Sequence, residues 1–225
     1  MKIQSFIFGF FLLALCMACE KDNYAPPASQ LRGSVVYNNQ PIGLRSGGVQ
    51  LELWQPGFAL NRKIPVYIDQ DGSFSAALFD GTYKLTFVSG NGPWIVSQDT
   101  ILLDVKGDTQ VSVPVKPFFI PKEEKISVQN GKVSAAMTIE RIDNSRTLQN
   151  VGLYVGTTAI LDNINNKQRT EVTAATIGQT GGPVSLEVTL PASLSSRDYI
   201  FARLGIRVSG VNEMIFSPVV KLELK

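Results

Sequence analysis

Apolar and polar residues alternate with a period of two from Leu31 to Lys116 and again from Ile126 to the C-terminus, with no helical period in between. In the first stretch, apolar runs broken by Gly, Asn, Asp and Pro predict strands over 31–37, 48–54, 63–69, 73–79, 82–88, 99–105 and 109–115. Side chains alternate faces along a strand, so Val49, Leu51 and Leu53 point one way and Gln50, Glu52 and Trp54 the other. Tyr83, Leu85 and Phe87 oppose Lys84 and Thr86, while Ile101, Leu103, Val105 and Val111, Val113, Val115 form two more inward rows. Asp71-Gly72 and Asp80-Gly81 sit between such runs and predict tight hairpins, because glycine takes the positive φ these turns need.

The second stretch predicts longer strands over 126–130, 133–142, 149–156, 168–177, 184–190, 198–208 and 214–224. Asn130-Gly131 leads into the row Val133, Ala135, Met137, Ile139. Val184 to Leu190, Ile200 to Val208 and Val220 to Leu224 supply the other inward rows. Two sets of short strands give an all-β chain of two tandem antiparallel β-sandwiches, over 31–117 and 118–225. Pro114, Pro117 and Pro121 exclude helix at the junction and stiffen it. Phe118-Phe119-Ile120 is too apolar for a free linker: it either packs between the domains or starts the second one, and both arrangements restrict the hinge.

The first residues follow a different pattern. Lys2 precedes an apolar stretch to Ala18, and the run from Phe6 is about a dozen residues, well short of the ~20 that span a bilayer. Glu20-Lys21-Asp22 follows at once, so residues 1–18 read as a signal peptide outside the fold. Residues 19–30, with Pro26-Pro27, read as a short spacer.

Composition narrows the chemistry. The formal net charge is +2 and no Lys/Arg block exceeds two residues, which excludes a nucleic-acid footprint. There is no histidine, and both cysteines, Cys16 and Cys19, lie at the end of the apolar leader. Imidazole bases, Ser-His-Asp machinery and zinc sites are therefore excluded, and no cofactor or metal is expected. Asp69, Asp71, Asp80, Asp99 and Asp104 are candidates for a carboxylate pair, but most stand at turn positions where Asp serves the backbone, so no enzyme is expected. Asp69 to Ser73 with Asp80 has the outline of a calcium loop, yet Phe74 stands where the sharp turn needs glycine, and a plain hairpin is the reading.

Two aromatic sets are candidate binding residues. Trp54 shares an outward face with Gln50 and Glu52, Tyr67 lies on the next strand, and Trp94 sits in the turn-rich Gly90-Asn91-Gly92-Pro93-Trp94. Trp94 can either meet a ligand or fold back to cap the core. In the second domain Tyr199, Phe201, Arg203 and Arg207 share one face, with Tyr154 beside them; this is either an aromatic-plus-arginine patch for a ligand or ordinary surface packing.

The leader resembles a bacterial lipoprotein signal in which Cys19, after small Ala18, is acylated; Cys16 follows bulky Leu15 and is a poorer acceptor. Glu20-Lys21-Asp22 is similar to the signal with which Bacteroidetes send lipoproteins to the outer face of the outer membrane. Gly33-Ser34-Val35-Val36-Tyr37, Gln40-Pro41-Ile42, Gly48 to Leu51, Asp71 to Phe74 and Gly81 to Leu85 resemble the transthyretin-like, carboxypeptidase-regulatory type of sandwich. Some relatives carry a Lys–Asn crosslink from the first strand, but residues 31–37 contain no Lys. The second domain resembles fibronectin type III or immunoglobulin topology. As a whole, with Gly92-Pro93-Trp94 and Ala202-Arg203 … Phe216-Ser217-Pro218, the chain resembles a Bacteroidetes family of two-domain surface lipoproteins. That resemblance implies a lipid-anchored accessory to glycan capture, with glycan, an outer-membrane transporter and a glycan-capture lipoprotein as partners in polysaccharide utilisation. A structural or adhesive stalk contacting only proteins is the competing reading.

Overall fold

The computed structural model describes residues 25–57, 62–178 and 181–225. The signal at 1–18, the acylation site Cys19 and the spacer as far as Tyr24 lie outside the described residues.

Residues 29–117 carry β1 (Ser29–Tyr37), β2 (Gln40–Pro41), β3 (Gln50–Trp54), β4 (Lys63–Tyr67), β5 (Ser73–Leu78), β6 (Gly81–Phe87), β7 (Trp94–Ile95), β8 (Ile101–Val105), β9 (Asp108–Pro114) and β10 (Lys116–Pro117). One sheet joins β2 and β5 to one edge of β1, with β9 on the other; a second has the order β4-β3-β6-β8. The alternating rows behave as the pattern dictates: Val49, Leu51, Leu53, Tyr83, Leu85 and Val113 are buried between the sheets. The one polar atom in that set, the Tyr83 hydroxyl, donates to Phe79 O at 3.0 Å. The Asp71-Gly72 turn is tight, with Gly72 at φ 84° donating to Asp69 O and Asp71 accepting from the Ser73 N–H and hydroxyl. Neither it nor Asp80-Gly81 closes the expected hairpin, because β4 and β6 belong to one sheet and β5 to the other, so both turns carry the chain between sheets.

Two further expectations need correcting. The first strand begins at Ser29 rather than Leu31, so the end of the predicted spacer belongs to the sheet. Strand β9 runs parallel to β1, from Gln30↔Asp108 to Val36↔Pro114, so the first sandwich is not wholly antiparallel. Every other strand pair is antiparallel among the described residues.

The second domain carries β11 (Phe119–Gln129), β12 (Lys132–Arg141), β13 (Leu148–Gly156), β14 (Gln168–Thr173), β15 (Gly182–Thr189), β16 (Tyr199–Val208), β17 (Ile215–Phe216) and β18 (Val220–Glu223). A three-stranded sheet has the order β11-β12-β15, and a second has β14-β13-β16 with β17 and β18 both on β16. The predicted strand 168–177 stops at Thr173 and becomes a one-turn helix, Ala174–Ile177, closed by Gly178. The predicted strand 214–224 breaks at Ser217-Pro218, because proline has no N–H to give the ladder.

At the junction Phe118, Phe119 and Ile120 are all buried. Both alternatives hold: Phe119 starts β11, while Phe118 donates to Pro93 O in the first domain and its carbonyl accepts from Ile142 and Asp143 in the second.

Candidate ligand-binding surface

The outward face of the β4-β3-β6-β8 sheet brings Trp54 and Tyr67 together. Gln50 pairs with Tyr67, Glu52 with Pro65 and Thr86, and Trp54 with Lys63 and Lys84, so these side chains stand on one surface. The Trp54 indole N–H donates to Thr86 Oγ1 at 3.0 Å. Thr86 lies diagonally behind Trp54, opposite Glu52, so the indole lies along the sheet and runs back toward the Tyr67 end. The Cα atoms of Trp54 and Tyr67 are four residues apart along the ladder and one strand across, about 14 Å. Tyr67 is 56 % exposed and Leu102, paired with Lys84, is 68 % exposed. Lys63 and Glu52 form an ion pair at 2.5 Å between the two rings. Aromatic faces flanked by an amide, a carboxylate, a hydroxyl and two ammonium groups can stack on the apolar face of a sugar and bond its hydroxyls.

Sequence reasoning identified Gln50, Glu52, Trp54 and Tyr67 but not Lys63, Thr86 or Leu102. Alternation on each strand placed these outward; the missing information was which strands pair and in what register.

Trp94 does not join this surface. It is 3 % exposed, and a Cβ at Gly92 would lie 2.3 Å from its ring carbons, so the indole folds back over a position only glycine can occupy. Its strand pairs with Pro117, and it caps the core at the junction. The candidacy of Trp94 as a ligand contact is corrected accordingly.

Tyr154 and Arg203 are corrected as well. They are directly paired on β13 and β16 and share a face, as alternation requires. That face is covered, leaving Tyr154 0 % and Arg203 1 % exposed. The Tyr154 hydroxyl donates to Glu171 Oε1 at 2.9 Å; burial first, and the neighbouring carboxylate second, push its pKa up.

The Arg203 guanidinium lies over the Phe216 ring, 4.6 Å from its centroid. It donates to Leu44 O (2.9 Å) and Gln70 O (2.6 Å) in the first domain, and to Leu161 O (3.1 Å) and Ser217 O (2.7 Å) in the second. Burial pulls its pKa down to about 10, which leaves it charged at neutral pH. Around it Phe216 N donates to Gly43 O, the Gln70 amide bonds both Ala159 O and Leu161 N, and Arg45 forms a two-pronged ion pair with Glu213. The aromatic-plus-arginine face is thus the seam between the domains.

Tyr199 and Phe201 remain at its outer end, edge to face at 5.8 Å, with Lys221 Nζ 4.2 Å from the Tyr199 ring centre. Arg207 is separate from them and donates to Asn212 O. This is surface packing with one exposed ring, Tyr199. Among the described residues no group of three or more His, Cys, Asp or Glu could hold a metal ion.

Two family profiles match the chain: "Protein of unknown function (DUF3823) N-terminal domain" over residues 29–116 and "Domain of unknown function (DUF3823_C)" over residues 119–221. No curated protein matches the sequence. Similar solved structures include a DUF3823 family protein from Parabacteroides merdae, 35 % identical with a TM-score of 0.81, and one from Bacteroides ovatus, 33 % identical with a TM-score of 0.80. Each similarity covers 88 % of this chain and 100 % of the other. A candidate carbohydrate-binding protein from Bacteroides uniformis, 18 % identical with a TM-score of 0.72 over the same shares, has the same fold.

Proposed function

The protein belongs to the DUF3823 family, with both of that family's domains, and on that premise we propose that it is a non-enzymatic glycan-binding accessory held at the cell surface. The observation that supports this reading is the open face of the β4-β3-β6-β8 sheet, where the Trp54 ring lies along the sheet with Tyr67, Gln50 and Glu52 beside it. The span between the two aromatics suits an oligosaccharide rather than a single sugar. The carbohydrate-binding description of the Bacteroides uniformis neighbour agrees with this reading. Anchoring through acylated Cys19 at the outward side of the outer membrane would place that face where glycans arrive, beside a transporter and its capture lipoprotein.

A glycan array with wild type, Trp54→Ala and Tyr67→Ala tests the proposal, each variant paired with a thermal melt. Both substitutions should abolish the array signal from extended oligosaccharides while Tm falls by no more than about 2–4 °C, since neither ring is core. An extended-oligosaccharide signal that survives both substitutions would reject the open face as the binding site, and no signal from wild type would reject the glycan reading and leave the protein-contacting stalk. For the anchor, Cys19→Ser should release the protein from membranes and Cys16→Ser should not. The reverse outcome would assign the acyl group to Cys16.

A further inference from the structure

A cleft of about 780 Å³ opens between the two domains, on the side of the first sandwich opposite Trp54. Its volume is within the ~300–1,000 Å³ of small-ligand sites. One wall is the β1–β2 hairpin, turned by Asn38 and Asn39 at φ 49° and 61°, which presents Tyr37, Asn38 and Gln40. The other wall is the start of β11, where the ladder is irregular between Lys122 and Lys125. Glu123, at φ 54°, turns away and accepts from the Thr138 hydroxyl at 3.1 Å, while Lys122 and Glu124 line the cleft. Apolar surface open to the cleft comes from Pro41, Pro121, Pro218 and Val219, over buried Ile42 and Ile120.

Three features decide what fits. The side chains of Tyr37, Asn38, Gln40 and Glu124 make no hydrogen bond among the described residues, so polar atoms on both walls are available to a ligand. The walls cannot drift apart, because Arg203 bonds carbonyls of both domains at the base and Arg45 grips Glu213 nearby. The charges nearly cancel. Asp71 lies in the field of Arg203, and Lys122 stands 3.7 Å from Glu140, which leaves Glu124 as the uncompensated group. An acidic ligand would meet that carboxylate.

We propose that this cleft is a second binding site, for a short neutral saccharide whose apolar face rests on the open surface of Pro41, Pro121, Pro218 and Val219. Its hydroxyls are met by Tyr37, Asn38 and Gln40 from one domain and Glu124 from the other. The proposal extends the glycan reading of the Trp54 face and rests on it for the choice of ligand class, but the two sites are separate in space and in test.

Isothermal titration of the full chain with short cello-, xylo-, malto- and manno-oligosaccharides, and with an oligogalacturonide as acidic probe, separates them. The Trp54→Ala/Tyr67→Ala variant should still bind at least one neutral probe, and the acidic probe should give no heat at the cleft. Gln40→Ala/Glu124→Ala should weaken that residual binding about tenfold or more, with Tm unchanged, because two hydrogen-bonding groups are lost from exposed or half-buried positions. Residual binding that is indifferent to Gln40→Ala/Glu124→Ala, or no binding of any neutral probe by the Trp54→Ala/Tyr67→Ala variant, overturns the cleft. Binding that Gln40→Ala/Glu124→Ala abolishes and Trp54→Ala/Tyr67→Ala leaves untouched establishes the cleft while rejecting the open face.

Discussion

Arg203→Ala should uncouple the two domains. The substitution strips four carbonyls of a donor; Gln70 O keeps the Leu44 N–H, while Leu44 O, Leu161 O and Ser217 O lose their guanidinium bonds. Each buried group left without its partner costs ~1–3 kcal/mol, and the Phe216 ring loses the cation stacked on it. Against this, the desolvation that holds the Arg203 pKa near 10 disappears with the charge. Removing one member of a buried charged network costs ~3–5 kcal/mol net, which for a chain of this size is a fall in Tm of about 10 °C. Calorimetry should show one transition for wild type and two for Arg203→Ala, since the other ion pairs across the junction, Arg45–Glu213 and Lys116–Asp143, are partly exposed. Arg203→Lys should recover little, because a single ammonium cannot reach four carbonyls arranged around a planar fork. A single Arg203→Ala transition within about 2 °C of wild type would refute the locking role.

Trp94→Ala removes a buried cap and should destabilise the first domain by ~3–5 kcal/mol, read by urea unfolding, without altering glycan binding. A double-mutant cycle on Arg45 and Glu213 should give a coupling of about 1 kcal/mol that shrinks as salt rises, because the pair is partly exposed. Asp80 accepts from the Ser29 hydroxyl and the Gly107 N–H, which holds its pKa below the usual carboxylate value. A lowered folded pKa gives stability that is present above the unfolded value, near 4, and is lost as pH falls through the folded one. Acid melts should therefore show wild type losing its advantage over Asp80→Asn below about pH 4.

The inward rows were legible because burial between two sheets imposes strict alternation, as in Val49, Leu51 and Leu53. Alternation also placed Tyr154 and Arg203 correctly on one face, but it could not say what covers that face. Over Arg203 the cover comes from Leu44 and Gln70 in the other domain, and over Tyr154 from Leu161, Met214 and Phe216 in its own; no local pattern encodes such contacts. Trp94 was readable as cap or contact, and Gly92 decides it through a close approach visible only in three dimensions. The parallel pairing of β1 with β9 escaped for the same reason: an alternating strand fits either direction, and topology chooses. Trp54 and Tyr67 were found because an outward aromatic among polar neighbours stands out on a single strand. The cleft was not, because its walls come from segments far apart in the chain: Tyr37 and Gln40 stood out only as part of a fold resemblance, and Glu124 not at all.

The parallel pairing of β1 and β9 has a mechanical meaning. These strands begin and end the first domain, so tension along the chain enters at Ser29 and leaves near Pro114. Because the two strands run in the same direction, such a pull slides one along the other and loads the bonds from Gln30↔Asp108 to Val36↔Pro114 together, in shear. An antiparallel pair joined by a turn and pulled at its open end would instead unzip one rung at a time. A pull between the two ends of the first domain therefore meets it along its mechanically strong axis.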